Sequence, residues 1–500
     1  MTTGGSSRSL PRAVVIGSGF GGLAAAIRLG ARGYDVTVLE RLDQPGGRAR
    51  VFRQDGFTFD AGPTVITAPF LFEELWALCG KKMSDDVTLL PVLPFYRIRF
   101  HDGTIFDYSG DPAAMRAEIQ RLAPADVEGY ERFVRLSEEI FSVGFEKLAH
   151  VPFHTWGSMA RVVPEMIRLK SYLSVYSLVS AHVKDERLRQ VLSFHPLLVV
   201  GNPFHTTSIY SLIPFLERKW GVHFPKGGTG ELVRGLERLI VGQGGRVRYG
   251  ATVDEILVAD NRVRGVRLES GEEILADVVV SNADAAWTYR QLLRPEHRRR
   301  WTNGKLDRAR YSMSLFVWYF GTDRTYPEVA HHSILLGPRY EELLTDIFER
   351  KILAEDFSLY LHRPTATDPS MAPPGSDAFY VLAPVPHLDA DVDWSTRAEG
   401  YRATIAAHLS RTLLPGLMNH VVSSCMLTPV QFRDDLLSER GAAFSLEPVL
   451  TQSAYFRPHN RSEEVLGLYL VGAGTHPGAG VPGVLSSARV LDSVVPDARR

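Results

Sequence analysis

Residues 13–22 read Ala-Val-Val-Ile-Gly-Ser-Gly-Phe-Gly-Gly, and no other stretch of this 500-residue chain restricts its folding so tightly. The β-branched and apolar run is the pattern of a buried parallel strand. Gly17 and Gly19 allow a tight turn and the close approach of backbone to a pyrophosphate, and Gly22 lets the next helix, Leu23 to Arg32, sit against the strand. That helix turns its positive N-terminal end toward the phosphates. A second strand, Asp35 to Leu39, delivers Glu40, 18 residues beyond Gly22, where a carboxylate accepts hydrogen bonds from both hydroxyls of an adenosine ribose. With 43 glycines in the chain, three at this spacing say little alone. Strand, turn, helix, strand and acid in this order say more, and they predict a dinucleotide site at the start of the fold.

The other end of the chain decides which dinucleotide. Leu468-Tyr-Leu-Val-Gly472-Ala-Gly474-Thr-His-Pro-Gly478-Ala-Gly480-Val481-Pro482-Gly483 is a second strand, glycine loop and helix, with proline in the first helical turn. Free backbone N–H groups at such a helix start hold partial negative charge. A reduced isoalloxazine develops that charge at N1 and the C2 carbonyl, so the unit would raise a flavin's reduction potential. Gly46, Gly47 and Arg48 suit a diphosphate and a ribityl chain from the opposite side, with Arg48 neutralising phosphate. The cofactor implied is FAD.

Composition removes other classes. Fifty-six basic against 57 acidic residues leave no electrostatic case for nucleic acid. Cys79 and Cys425 are the only cysteines, which excludes a disulfide scaffold, a cysteine zinc site and an iron–sulfur cluster. The other histidines, His195, His205, His331 and His332 among them, lack partners at metal-ligand spacing, so no metal is expected. The first ten residues lack the apolar run of a secretory signal, and the longest apolar stretches, Val191 to Val200 and Leu315 to Phe320, fall short of a membrane span. A reducing cytoplasm is the expected compartment.

The nucleotide-binding signals are spread over three regions, so the chain leaves one domain and returns to it. After the first, Phe224-Pro-Lys-Gly-Gly-Thr-Gly230 leads into a helix near Glu231 to Ile240. Strands Arg246 to Tyr249, Asp254 to Ala259, Arg262 to Glu269 and Ile274 to Ser281 follow. The organisation expected is a disordered tail over 1–11 and an FAD-binding domain over 12–90, 224–284 and 465–495. A substrate domain occupies 91–109 and 285–464, with strands Ser312 to Phe320, Phe357 to His362 and Ala378 to Ala383 and a helix near Ala403 to Leu414. A helical segment spans 110–223, where Arg161 to Ala181 mixes basic and apolar residues as an amphipathic helix lying on lipid does. The fold class is therefore α/β: a Rossmann-type, glutathione-reductase-like FAD domain with a mixed-sheet substrate domain and a helical insertion.

Several segments together resemble the bacterial phytoene desaturases, in the carotenoid desaturase branch of the flavin amine oxidase-like superfamily. They are Val14 to Gly22, Pro45-Gly-Gly-Arg48, Gly56-Phe-Thr-Phe-Asp-Ala-Gly-Pro-Thr-Val-Ile66, Phe224 to Gly230, Ser281-Asn-Ala-Asp284 and Leu470 to Gly483. The likeness covers nearly the whole chain, including Phe194 to Phe204 and Gln452 to Asn460. It implies oxidative desaturation of 15-cis-phytoene and partly desaturated carotenoids toward neurosporene or lycopene, with non-covalent FAD. It also implies O2 or a quinone as electron acceptor and work at a membrane surface, the inner face of the cell membrane; nothing in it opposes a homo-oligomer. Contacts to FAD carry over to Gly17, Gly19, Gly22, Glu40, Arg48, Val253, Gly474 and the 478–483 loop, in which Gly480, Val481 and Pro482 stand. The same reading takes in Phe20, Gly21, Arg41, Gly47, Gly62, Pro63, Thr64 and Gly472.

Each desaturation removes two hydrogens from adjacent carbons, one as hydride from an allylic C–H to flavin N5 and one as a proton. A polyene has no polar handle, so an apolar channel must select it. A delocalised allylic cation reduces the need for a strong base, and no acid–base pair shared with amine oxidases is found. Asp60 and His476 flank the cofactor segments and are the candidates for proton chemistry, each with a structural alternative: a backbone cap for Asp60, a loop-ordering hydrogen bond for His476. Phe141, Phe145, Phe153, Trp156, Phe194, Phe204 and Phe215 are candidates for the tunnel wall or for core. An amine oxidase, or a prenyl-protein escort without redox chemistry, shares the architecture and stands as the rival reading.

Overall fold

The computed structural model describes residues 10–199 and 201–498. The expected tail lies outside the described residues except at Leu10 and Pro11. Strand Arg12–Ile16 is the middle of a five-stranded sheet whose spatial order is Leu468–Leu470, Val278–Ser281, Arg12–Ile16, Asp35–Leu39, Arg246–Arg248. Every junction in it is parallel. Both faces are covered, as a parallel sheet requires. Ala13, Val15, Val36 and Val38 pack beneath helices Phe20–Ala31, Pro69–Leu78, Thr229–Gly242 and Val481–Val494. Val14, Ile16 and Leu39 face the other way, against an antiparallel meander of Val253–Ala259, Arg262–Leu268 and Glu273–Leu275.

Two expected boundaries shift. The first helix begins at Phe20 rather than Leu23, because Gly19 already holds the extended conformation of a helix cap. The expected strand Ile274 to Ser281 is two strands in two sheets. After Leu275 the chain leaves the meander, and the Asp277 N–H donates to Arg12 O at 2.9 Å, which starts the parallel pairing.

The second sheet has seven strands, ordered Val421–Leu427, Ser314–Thr322, Asp377–Val385, Leu359–His362, His332–Leu336, Tyr96–Phe100, Ile105–Tyr108. Only the His332–Leu336 to Tyr96–Phe100 junction is parallel. Strand Ser314–Thr322 is buried along its whole length, with a period of two. Phe316, Trp318 and Phe320 face helix Trp394–Thr412, while Leu315, Val317 and Tyr319 face the molecular interior. Burying each of these large side chains contributes about 2–3 kcal/mol, which anchors one wall of the site.

Residues 110–223 are largely helical and include Val127–Phe141, Trp156–Arg168 and Ile213–Trp220. The single amphipathic helix expected over Arg161 to Ala181 is broken into Trp156–Arg168 and Val175–Ser180. Lys170 adopts φ 56°, the left-handed conformation that ends a helix, and Ser174 caps the restart by accepting from the Ser177 N–H.

Candidate functional site

One cavity of about 540 Å3 runs between the loops of the five-stranded sheet, the helical segment and the inner face of the seven-stranded sheet. At its sheet end the wall is largely backbone. Gly17, with φ 88°, turns the chain out of the first strand, and its N–H donates to Leu39 O at 2.8 Å, so the turn lies beside the end of the second strand. Gly19 bridges to Gly46, which brings the Gly46-Gly47-Arg48 loop alongside the first turn. Asn282, at the end of strand Val278–Ser281, occupies the hollow these glycines leave. A Cβ on Gly19 would lie 2.9 Å from its Nδ2, and one on Gly21 or Gly472 would lie 2.5 or 2.8 Å from its Oδ1.

Polar groups are arranged around that hollow. Glu40 is buried, and its carboxylate accepts from the Ser18 N–H at 2.8 Å, the Ser18 hydroxyl at 2.6 Å and the Leu42 N–H at 2.9 Å. These fix its orientation and leave lone pairs for further donors. Arg48 lines the cavity and donates to Ala443 O and Ser438 Oγ, both at 2.7 Å. It forms no ion pair with a described carboxylate, and burial pushes its guanidinium below the usual value, with Asp284 acting in opposition. Asp284 caps the turn after it through Oδ1, while its buried Oδ2 has no partner. Two helices, Phe20–Ala31 and Val481–Val494, start at this wall without a side-chain cap, so their first N–H groups are free for a ligand.

This donor set fits FAD. A carboxylate suits ribose hydroxyls, two open helix starts and a guanidinium without an ion pair suit a pyrophosphate, and Gly17, Gly19, Gly46 and Gly47 present backbone to the cavity. Gly17, Gly19, Phe20, Gly21, Glu40, Gly47, Arg48, Val253 and Gly472 all line the cavity. So does Arg41, although its guanidinium is tied to Asp434 O and Asp435 O at 2.7 and 3.0 Å. Gly480, Val481 and Pro482 line it from the C-terminal helix, and Gly62, Pro63 and Thr64 from the loop after strand Phe57–Asp60. That loop is fastened from outside: Tyr319 donates to Ala61 O at 2.8 Å and Thr229 to Pro63 O at 3.0 Å.

Gly22, Gly474 and Asp60 stand behind the wall rather than in it. A Cβ on Gly22 would meet Gly17 O at 2.0 Å, and one on Gly474 would meet Ala285 Cβ at 2.7 Å, so both glycines permit packing. Asp60 is buried and accepts from the Thr229 N–H at 3.0 Å, at the start of helix Thr229–Gly242, and burial raises its carboxyl to about 7. It acts as the backbone cap and not as a group facing the cavity.

His476 does line the cavity. Its Nε2–H donates to Leu148 O at 3.2 Å, its ring meets Phe153 edge-on at 4.8 Å, and burial lowers it to about 4, so it is neutral. Those contacts tie the C-terminal loop to the helical segment. Phe145 and Phe153 belong to the cavity wall, whereas Phe141 and Phe194 are core, Phe204 and Phe215 lie off the wall, and Trp156 is exposed.

At the end away from the glycines the wall is side chains. Leu315, Val317, Leu382 and Leu427 come from the seven-stranded sheet, Leu197, Leu198, Ile209 and Leu216 from the helical segment. Tyr360 and Tyr380 also line it, both hydrogen-bonded to Thr64 Oγ1, at 3.2 and 2.7 Å. Tyr96 and Glu217 complete this end, and neither is signalled by any motif. Asn282 and Asp284 were within reach of the sequence, since Ser281-Asn-Ala-Asp284 directly follows a predicted strand.

The histidines read as partnerless are not. Antiparallel pairing sets His332 opposite His362, and with His331 their ring nitrogens lie within 4.8 Å of one another. A separation of 30 positions conceals this proximity in the sequence. Burial holds His331 at about 3 and the other two well below the usual value, so all are neutral; His332 Nδ1 meets the Tyr360 hydroxyl at 2.7 Å.

Residues 20–490 match the family described as flavin containing amine oxidoreductase. The chain is 50% identical over 498 residues to a phytoene desaturase (neurosporene-forming) of Rhodobacter capsulatus, covering 98% of this chain and 95% of that protein. It is 52% identical over 476 residues to a phytoene desaturase (lycopene-forming) of Pantoea ananas, covering 95% and 97%. Among solved structures, putrescine oxidase bound to putrescine superposes with a TM-score of 0.65 over 97% of this chain and 99% of that one, at 14% identity. An oxidoreductase from Methanosarcina mazei does so with a TM-score of 0.63 at 20% identity, over 96% and 100%. These two establish the fold alone.

Proposed function

The chain belongs to the phytoene desaturases of the flavin-containing amine oxidoreductase family, and on that premise we propose how its cavity performs FAD-dependent desaturation of phytoene in carotenoid biosynthesis. One observation supports the reading most: a single cavity joins a polar cradle of glycines, Glu40, Arg48 and two uncapped helix starts to a long apolar wall. An escort protein would not need the cradle, and a wall made largely of leucines and valines suits the shape of a hydrocarbon chain.

Bound FAD supplies a two-electron acceptor. Glu40 would hold the ribose, Arg48 and the start of helix Phe20–Ala31 the pyrophosphate, and the start of helix Val481–Val494 the electron-rich edge of the ring system. Leu315, Val317, Leu382 and the facing leucines of the helical segment exclude water and orient the hydrocarbon by shape. Thr64, Tyr360 and Tyr380 bond one another, so their hydroxyls make no demand on an apolar substrate.

The hydrocarbon would arrive from a membrane surface through helix Trp156–Arg168. Val162 and Met166 line the cavity while Trp156 and Ile167, on the outer side, are 63% and 62% exposed. Trp156 meets the Tyr455 ring at 4.6 Å, tilted by 34°, beside exposed Phe456, and the same stretch carries Arg161 and Lys170, while Arg168 is paired with Glu139 and Glu165. Apolar side chains over basic ones suit an anionic lipid surface. No helix among the described residues is long and apolar enough to cross a membrane. Purified protein with FAD and phytoene in liposomes, under air or with a quinone, tests the reading. Coloured, conjugated products support it; oxidation of an amine with phytoene untouched overturns it.

A further inference from the structure

A buried carboxylate stands in the part of the cavity that should be hydrocarbon-like. Glu217, on helix Ile213–Trp220, is 1% exposed and lines the cavity wall with Tyr96. The Tyr96 hydroxyl donates to its Oε1 at 2.6 Å, and His195 Nε2 lies 3.2 Å from its Oε2. Burial and Glu217 itself hold the Tyr96 hydroxyl well above its usual value, so tyrosine is the donor. His195 Nδ1 is buried without a partner, and an imidazolium would leave an N–H stranded there. The assignment that satisfies the group is a neutral histidine donating through Nε2 to a carboxylate. No lysine or arginine among the described residues pairs with Glu217.

The other acidic, basic and imidazole groups in the wall are accounted for. Glu40, Arg41, Arg48, Arg50, Asp284 and Asp435 belong to the nucleotide end, and His476 is neutral and bound to Leu148. Around the Glu217 pair stand Tyr108 and His332, whose rings lie 5.9 and 5.8 Å from that of Tyr96, and neither carries a compensating positive charge. Burying an anion is costly, and a hydrocarbon ground state offers it nothing. The site gains from it only when the substrate becomes positive.

Resting on the desaturase reading above, we propose that Glu217, positioned by Tyr96 and His195, is the anion that faces the developing carbocation and accepts the proton. Desaturation takes one hydrogen with its electron pair from an allylic carbon, and the bound FAD is the oxidant that receives them. The C–H bond on the adjacent carbon then breaks, its electron pair becomes the new C=C, and the proton ends on a Glu217 carboxylate oxygen. Tyr96 and His195 hold the carboxylate in place through its two oxygens; they are positioning residues.

The test pairs turnover with a binding measurement that needs no turnover. A polyisoprenyl dimethylamine, cationic at neutral pH, mimics the charged chain, and its hydrocarbon counterpart is the control; binding is followed by tryptophan fluorescence in protein with and without FAD. Wild type should prefer the cation at least about tenfold. Glu217→Gln should abolish the preference and slow desaturation about a hundredfold or more at unchanged flavin content. Glu217→Asp should keep the preference while slowing turnover, and Tyr96→Phe should weaken both, which keeps the test open should Glu217→Gln fail to fold. A Glu217→Gln enzyme that keeps either the preference or its rate overturns the proposal. Inactivity of wild type on phytoene would instead overturn the reading on which it rests.

Discussion

The two ends of the cavity solve opposite problems with different parts of the chain. At the nucleotide end the ligand is polar and charged, and the wall is backbone: glycine turns, two open helix starts and the side chains of Glu40, Arg48 and Asn282. At the far end the ligand offers only shape, and the wall is leucines, valines and tyrosines from the seven-stranded sheet and the helical segment, with Glu217 the exception. Each end also holds a buried carboxylate in close contact with a donor. Asp60 sits behind the wall and serves a helix start, whereas Glu217 sits in it. Burial alone therefore does not separate a structural carboxylate from a chemical one.

The strongest way to break this contrast is Gly22→Val. A Cβ 2.0 Å from Gly17 O forces the turn apart, so the protein should purify without the flavin band and bind FAD at least about a hundredfold more weakly. Binding of the hydrocarbon probe should survive. Normal flavin content would mean that the turn adapts and the nucleotide end is less rigid than described. Arg48→Ala should weaken FAD by about thirtyfold, the worth of a charged hydrogen bond of about 2 kcal/mol, and calorimetric titration of the stripped protein measures it. An unchanged affinity would move phosphate recognition entirely onto the helix starts.

Ile167→Glu with Trp156→Ser alters the outer side of the helix whose inner side lines the hydrocarbon end. Cosedimentation with anionic vesicles should fall severalfold while flavin content stays constant, and undiminished sedimentation would place lipid contact elsewhere. The smallest effect belongs to Asp60→Asn. Burial raises the Asp60 carboxyl to about 7 from an ordinary 3.8, so between those values the folded protein binds a proton that the unfolded chain does not. Its contribution to stability therefore declines as pH rises through that window, and asparagine, which cannot ionise, should remove the decline. Melting curves at pH 5 and pH 7.5 read the slope, and turnover should change by no more than about twofold; a large loss of rate would return Asp60 to the chemistry.

Legibility follows the same division. Glu40 and the glycines of the first turn can be found because a phosphate-binding turn uses consecutive backbone groups, and only certain residues tolerate φ 88° at Gly17 or the contacts behind Gly22. The Glu217 site has no such signature, since Tyr96, His195 and Glu217 are drawn from a strand and two helices and any one of them resembles ordinary core. The same holds for His332 and His362, which only strand register sets face to face. Arg161 to Ala181 shows the reverse error: its composition is helical throughout, but Lys170 adopts a conformation that no pattern of polarity encodes.

By itself the sequence determined the cofactor class, the parallel sheet that presents it and the family, because local spacing and backbone geometry suffice for these. Only the tertiary structure decided that Asp60 caps a helix, that His476 ties down a loop and that Glu217 reaches the hydrocarbon wall. Those outcomes depend on contacts between residues tens to hundreds of positions apart, where side-chain direction and burial, rather than order along the chain, set the chemistry.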